Sequence, residues 1–264
     1  EHMAELLLTD KIDQVQSAVR QKPSDDKLRV HLFQLYAQGG KWQKALAQLQ
    51  VAAQLNESHK LLAQAYRLAL RAELIRQDVF AGIRSPQVLG KPSAWMGYLI
   101  EALQEDGKGH MPQAAELRAQ ALDAAQAVAG RVDEMPFEWI ADADSRLGPV
   151  LEVFVNGDYY WLPFESVVEI QIEAPQDLRD LVWMPAHIKL VNEGLHPMLL
   201  PARYPLAEGV VEDAHLQSHL TSWTESAEGE WIGHGVKTFA TNVQEISLLD
   251  TRQIRLDSKP GQDD

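Results

Sequence analysis

The sequence predicts an α+β protein of two domains: a degenerate helical-repeat domain over residues 1–134, followed by a small antiparallel β-barrel-like domain over residues 135–264. Three observations predict this fold class. Apolar residues recur at helical spacing in the first half, and short alternating segments separated by turn signals fill the second half. The charge also changes between the halves. Residues 1–130 carry 15 Lys and Arg against 14 Asp and Glu, a net charge of +1, whereas residues 131–264 carry 9 against 24, a net charge of −15.

The composition restricts the possible functions. The 264 residues are 45% hydrophobic and 23% charged and include no cysteine. This composition is typical of a folded globular chain, and it excludes a disulfide framework, cysteine-ligated zinc and a thiol nucleophile. No apolar run reaches the roughly 18–20 residues of a membrane span, and no signal peptide is visible. Because the acidic half would repel phosphate backbones and anionic lipids, we expect a cytoplasmic protein that binds neither nucleic acid nor membranes.

Six helices are predicted in the first half. Proline, glycine and capping residues mark their boundaries. In chain order these markers are Pro23, Ser24-Asp25-Asp26, Gly39-Gly40, Ser93, Pro112 and Gly130. Residues 59–84 keep helical spacing throughout and predict a helix between Gly39-Gly40 and Ser93.

The second and third helices resemble one tetratricopeptide repeat of about 34 residues, measured from Asp26. The residues at the expected positions of that repeat are Phe33, Tyr36, Gly40, Trp42, Ala45, Leu49 and Ala52. The neighbouring helices lose this spacing, so the predicted domain is short and degenerate. Repeat domains bind partner helices or extended peptides in a groove. We therefore predict partner contacts at Phe33, Tyr36, Trp42 and Tyr66; a plain helical bundle without a groove is the alternative.

The second half predicts short strands joined by tight turns. Residues 150–155 alternate and are followed by the hairpin turn signal Asn156-Gly157. A second hairpin turn is predicted at Asn192-Glu193-Gly194. The remaining predicted strands cover residues 159–161, 167–172, 183–191, 195–200, 236–240 and 245–249. Many short strands with close turns are typical of a small barrel or a strongly bent antiparallel sheet.

Few residue patterns in the sequence point to chemistry. Neither a glycine-rich phosphate loop nor a Gly-x-Ser-x-Gly or His-Glu-x-x-His motif is present. His215 and His219 are four residues apart, a spacing that could present both to a metal on one helix. The surrounding segment is polar, however, and we predict an exposed helix without a metal. We expect no cofactor.

The densest polar cluster is Asp142-Ala143-Asp144-Ser145-Arg146, after Trp139. Two carboxylates two residues apart could perform acid–base chemistry, which leaves a hydrolase as one alternative. Asp, Ser and Arg also suit a domain junction, where they cap turns and pair with each other. We assign Trp139, Asp142, Asp144 and Arg146 to the junction and predict no catalytic residues.

The run FEWIADADSRLGPVLE at residues 137–152 resembles the hallmark of the ImpE/SciE family, also called TagJ. Further matches are GDYYWLPF at residues 157–164, DLRDLVW at 177–183 and PARYP at 201–205. In the first half, LFQL at 32–35 and VFAG at 79–82 fit as well. The resemblance covers nearly the whole chain.

This resemblance implies a non-enzymatic accessory component of a bacterial type VI secretion system. The implied partner is the small subunit of the contractile sheath, with its N-terminal segment as the candidate contact. The sheath-recycling ATPase ClpV is the implied functional neighbour. Without the resemblance, the sequence indicates a two-domain binding protein, and a general helical-repeat adaptor with another client remains an alternative.

Overall fold

The computed structural model describes residues 6–191, 194–207 and 209–258. Six helices lie in the first half, and a seventh, of one turn, lies in the second. Their bounds are α1 Leu8–Gln21, α2 Asp26–Gln38, α3 Trp42–Leu55, α4 Lys60–Phe80, α5 Ala94–Gly107, α6 Met111–Ala124 and α7 Asp213–Leu216. Short 3₁₀ turns cover Glu57–His59 and Phe164–Ser166. The six predicted helices of the first half are confirmed.

Local sequence explains how these helices begin and end. The Asp25 side chain accepts a hydrogen bond from the Leu28 amide at 3.1 Å and so caps α2. After α2, Gly40 takes a φ of +65°, which a residue with a side chain adopts only with strain. Ser93 precedes α5 as predicted, but its hydroxyl donates to Glu165 of the β-rich half instead of capping the helix.

The described residues also form fourteen short strands, which belong to three sheets. The strands of the large sheet are β1 Gln87–Val88, β2 Gly130–Val132, β3 Met135–Phe137, β5 Val150–Val155, β6 Asp158–Pro163, β7 Val167–Ile172, β8 Trp183–Leu190, β9 Leu195–Pro201 and β14 Gln253–Leu256. A three-stranded sheet contains β4 Ile140–Asp142, β12 Thr238–Thr241 and β13 Glu245–Ser247, and a separate hairpin contains β10 Thr221–Glu225 and β11 Trp231–Gly235.

The nine-stranded sheet is open, which corrects the barrel-like part of the prediction. Its strand order is β1-β6-β5-β9-β8-β7-β14-β2-β3, and within the described residues β1 and β3 do not pair with each other. Both terminal strands are too short to continue the ladder: β1 has two residues, and β3 has three with Pro136 in its centre, which lacks an amide donor. The β5–β6 hairpin at Asn156-Gly157 is confirmed, whereas Asn192 and Glu193 of the other turn lie outside the described residues.

The predicted boundary at residue 134 falls inside a hairpin. Asp133 and Glu134 form the turn between β2 and β3, with φ values of 41° and 76°. Strand β1 of the helical half also pairs with β6, and one hydrophobic cluster joins the helices to the sheet through Trp161 and Trp183. The division into domains at this point therefore stays a prediction.

The helical half contains the helix α1, which packs on α2, two helical hairpins and one long single helix. Helix α2 packs on α3, and α5 packs on α6, whereas the 21-residue α4 lies against β6 of the sheet. Only the α2–α3 pair follows the repeat spacing, and the tetratricopeptide-like assignment stays a prediction. Among the described helices, none has the length and apolarity needed to cross a membrane.

Candidate functional site

Helix α4 is joined to the sheet by a buried ion pair. Arg76 donates from Nε to Glu152 Oε1 at 2.7 Å and from Nη2 to Glu152 Oε2 at 3.0 Å. The same Nη2 donates to the backbone carbonyl of Arg203 at 2.8 Å. Glu73, one turn earlier on α4, lies with Oε2 3.5 Å from Arg76 and accepts a bond from Trp183 Nε1 at 3.1 Å. These contacts fix one face of α4 on strands β5 and β8.

Lys237 extends the same network into the three-stranded sheet. Its ammonium lies 2.8 Å from Glu152 Oε2 and also forms a hydrogen-bonded ion pair with Asp142. Tyr204 donates to Asp142 Oδ1 at 3.0 Å, and Tyr159 donates to Glu152 Oε1 at 2.6 Å. One ammonium is thus shared by carboxylates from β4 and β5, so the network connects α4 to both sheets.

The environment shifts the pKa values of these carboxyl groups in opposite directions. Burial opposes the charge of Glu152, but Arg76 and Lys237 outweigh it and hold its pKa at about 2. Burial dominates at Asp142 and raises its pKa to about 6 in spite of Lys237. Burial likewise raises the pKa of Glu73 against the attraction of Arg76. Of these three carboxyl groups, Glu152, which lies beside two cations, therefore stays ionised to the lowest pH.

Asp144 and Arg146 form a second, adjoining pair. Arg146 donates from Nε to Asp144 Oδ1 at 2.9 Å and from Nη2 to Oδ2 at 2.6 Å. The Gly233 amide donates to Asp144 Oδ2 at 2.8 Å. The Arg146 guanidinium also lies 4.9 Å from the centre of the Phe80 ring at the end of α4. Burial opposes the charge of Asp144, but Arg146 prevails and lowers its pKa.

The residues predicted for the junction are therefore brought together in part. Asp142, Asp144 and Arg146 lie in the network between α4 and the sheets. Trp139 lies outside it, with 38% of its surface exposed, before the start of β4. The exposed fractions of Asp142 and Asp144 are 4% and 0%, and each is paired with a cation. In this structure both carboxylates are buried in ion pairs.

The four aromatic residues predicted as partner contacts lie in the core. Phe33, Tyr36, Trp42 and Tyr66 are all buried. Trp42 and Tyr66 pack against Trp183 of β8, with ring centres 5.8 and 5.7 Å apart. Trp42 and Tyr66 thus contact the sheet, and the assignment of all four residues to partner binding stays a prediction.

The histidine pair differs from the prediction of an exposed helix. His215 is buried on the one-turn helix α7, and His219 follows after that helix has ended. His215 accepts from the Glu212 amide through Nδ1 at 2.9 Å, and its Nε2 lies 2.8 Å from Ser222 Oγ. Both ring nitrogens are therefore engaged in local contacts. Within the described residues, no group of three or more His, Asp or Glu side chains is placed to hold a metal ion.

Most members of this network were not predicted from the sequence. The missed residues are Glu73, Arg76, Glu152, Arg203 and Lys237. A signal was present, because Glu152 interrupts the apolar strand β5 and Arg76 interrupts the apolar face of α4. A charged residue at a position whose neighbours are buried requires a partner of opposite charge.

Three comparisons with known proteins agree with this fold. A family model described as "ImpE protein" matches residues 134–255. A Pseudomonas aeruginosa protein named "Type VI secretion system accessory component TagJ" is 45% identical over 247 residues, which cover 94% of this chain and 86% of that protein. The crystal structure of protein VPA1032 from Vibrio parahaemolyticus has a TM-score of 0.88 and 22% identity, and it covers 96% of this chain and 94% of that chain. The last likeness shows the fold.

The fold and the buried network define an α+β protein in which helical hairpins are fixed on an open, mostly antiparallel sheet. The match to the Pseudomonas aeruginosa protein is long and close enough to show common descent. The chain belongs to the ImpE family. The resemblance that the run at residues 137–152 predicted is confirmed.

Proposed function

We propose that this chain is a non-enzymatic accessory protein of a bacterial type VI secretion system. The observation that carries the proposal is the 45% identity, over 94% of the chain, to a protein whose name gives that role. A cytoplasmic location and a functional neighbour in the ClpV ATPase are parts of the same proposal. The buried and paired state of Asp142 and Asp144 favours a structural role for them over a hydrolytic one.

We further propose that the protein binds the small subunit of the contractile sheath. Phe33, Tyr36, Trp42 and Tyr66 support this binding indirectly: Trp42 and Tyr66 hold α3 and α4 on the sheet, and Phe33 packs on Tyr66. The partner then meets the outer surface of these helices. The N-terminal segment of the sheath subunit is the proposed contact.

An open concave surface beside α2 suits such a partner. Its volume is about 530 Å³, and it lies between α2 and the segment that precedes β8. The lining residues are His31, Gln34, Pro175, Gln176, Asp177, Leu178 and Leu181. Leucine and proline supply apolar contact there, and the amide and imidazole groups supply hydrogen bonds, which is the mixture found in peptide-binding grooves.

Calorimetry with the full-length chain and the purified small sheath subunit tests both the proposed partner and the proposed surface beside α2. The double variant His31→Glu with Gln34→Glu adds two carboxylates beside Asp177. We expect it to weaken binding at least tenfold, which corresponds to about 1.4 kcal/mol. Gln50→Glu, at an exposed position of α3, is the matched control and should bind as the unaltered chain does.

The possible results separate the partner from the surface. If the unaltered chain does not bind the sheath subunit, the proposed partner is wrong. If it binds and the α2 variants bind equally well, the partner stands and the surface beside α2 is wrong. A different client that binds through the α2 surface would favour the general adaptor.

A further inference from the structure

The hairpin β10–β11 presents a tryptophan to solvent. Trp231 has 48% of its surface exposed, although indole is a side chain that proteins usually bury. A single exposed apolar side chain is common on protein surfaces and by itself indicates nothing. The neighbours of Trp231 are what distinguish this position.

A carboxylate lies directly across the hairpin from the indole. Glu225 of β10 pairs in register with Trp231 of β11, and opposite residues of an antiparallel pair point to the same face. Their Cβ atoms are then about 5 Å apart. Glu225 is exposed and has no cationic partner within the described part of the chain. An aromatic face and an unpaired carboxylate are thus presented side by side.

The backbone under this face is held firmly. The Trp231 amide donates to Ser145 Oγ at 3.0 Å, and the Trp231 carbonyl accepts from the Ser145 amide at 2.9 Å. Two positions further, Gly233 packs against the Tyr204 ring, which in turn contacts Trp223 at 5.6 Å between ring centres. The exposed indole is thus attached to a fixed strand backbone, so little backbone freedom is lost when it binds a ligand.

The charge around the hairpin is negative. Glu228 in the turn is exposed, and no cation among the described residues pairs with it. Glu230 and Asp106 share one cation, Arg118, which donates to both. The group as a whole keeps an excess of carboxylates, within a half of the chain that carries a net charge of −15. This field attracts a basic ligand before contact is made.

We propose that the face of the β10–β11 hairpin carrying Glu225 and Trp231 binds an arginine of a basic segment in a partner protein. A guanidinium stacks on an indole face and donates two parallel hydrogen bonds to a carboxylate, and this pair of surfaces offers both. No residue of this hairpin lines the surface beside α2. The inference does not depend on the sheath subunit being the partner.

Spectra of the full-length protein labelled with ¹⁵N-tryptophan test the proposal, because each indole N–H gives a separate signal. The signal of Trp231 is the one that disappears in Trp231→Leu, and the six others report that the fold is intact. The probe is the blocked peptide Gly-Arg-Gly-Arg-Gly, and the control probe is the same peptide with citrulline, which is neutral and nearly isosteric with arginine.

We expect the arginine peptide to shift the Trp231 signal selectively and saturably, and the citrulline peptide to bind at least fivefold more weakly. Glu225→Gln should weaken binding of the arginine peptide by about two- to fivefold, the range of one exposed charge or cation–π contact. Glu57→Gln, an exposed carboxylate on the helical half, should leave the affinity unchanged.

Three results would overturn the proposal. The citrulline peptide binds as tightly as the arginine peptide, the shifts spread evenly over all indoles, or Glu57→Gln weakens binding as much as Glu225→Gln does. Each would mean that the peptide responds to the general negative charge or to apolar contact. Failure of sheath-subunit binding would leave these measurements unaffected.

Discussion

Replacing Arg76 with methionine removes the guanidinium that joins α4 to the sheet and keeps an unbranched apolar side chain in place of the arginine stem. Arginine and methionine have nearly equal helix propensity, so α4 itself should be unaffected. Three hydrogen bonds are lost, two to Glu152 and one to the carbonyl of Arg203. Glu152 keeps Lys237 and Tyr159, whereas Glu73 loses the nearest cation.

The expected cost of Arg76→Met is large because the pair is almost completely buried. The side chains of Arg76 and Glu152 are 4% and 0% exposed. Removing one partner of a buried pair destabilises a protein by about 3–5 kcal/mol, and here it leaves the buried Glu73 without its nearest cation. For a chain of this size, that corresponds to a fall in melting temperature of roughly 6–20 °C.

Helix α4 provides a matched control. Arg71 pairs with Asp158 of β6 at 3.1 Å, but its side chain is 61% exposed. Water screens this pair, so Arg71→Met should cost less than about 1 kcal/mol. Urea denaturation of both variants, followed by circular dichroism, gives the two free energies of unfolding under the same conditions.

If Arg76→Met and Arg71→Met lower the free energy of unfolding by similar amounts, burial does not set the strength of these ion pairs, and the prediction is wrong. A loss below 1 kcal/mol for Arg76→Met would also refute it. The double variant of Arg76→Met with Glu152→Gln supplies a further check. If Arg76 and Glu152 are coupled as the structure shows, the loss of stability in the double variant should differ from the sum of the two single losses by about 0.5–3 kcal/mol.

Three further predictions concern the same junction. Burial raises the pKa of Asp142 from 3.8 to about 6, so the folded state holds this proton more tightly than the unfolded state does. Its contribution to the free energy of unfolding should fall by about 3 kcal/mol as the pH rises from 3.8 to 6. Urea denaturation across that range should show that the free energy of unfolding of Asp142→Asn depends less on pH. The pKa of Glu152 is lowered from 4.5 to about 2, so its contribution should be lost as the pH falls through that window, and Glu152→Gln should remove this acid-dependent loss. Asp144→Ala leaves Arg146 and the Gly233 amide without their acceptor and should cost about 1–3 kcal/mol by thermal denaturation; an unchanged melting temperature would contradict this.

Local features of the fold were predictable from the sequence, because their causes lie within a few residues. The aspartate that caps α2, the break at Gly40 and the β5–β6 turn at Asn156-Gly157 depend on backbone preferences of the residues themselves. The order of strands in the large sheet was not predictable. Strand β14 pairs with β2 and β7, which lie about a hundred residues away in sequence, and no periodicity records such a pairing.

The candidate site was likewise predictable only where its residues lie close together in sequence. The polar run at 142–146 was recognisable, but its partner Lys237 is 95 positions away. The contacts of the aromatic residues on α3 and α4 were equally unpredictable from the sequence. Trp42 and Tyr66 have the composition of a binding surface, and spacing alone does not reveal that Trp183 of the sheet already covers them.

The buried charges stabilise the fold, whereas the exposed carboxylates attract a partner. At the junction, four buried carboxyl groups, Glu73, Asp142, Asp144 and Glu152, pair with Arg76, Arg146 and Lys237. A fourth buried cation, Arg203, donates to the backbone carbonyls of Gln38 and Leu216. These charges balance when all are ionised, so the net charge of −14 resides elsewhere on the chain. Buried pairs are screened little by salt, whereas exposed carboxylates are screened beyond a Debye length of about 8–10 Å. Added salt should therefore weaken the binding of basic ligands at the β10–β11 hairpin and leave the junction between α4 and the sheets largely intact.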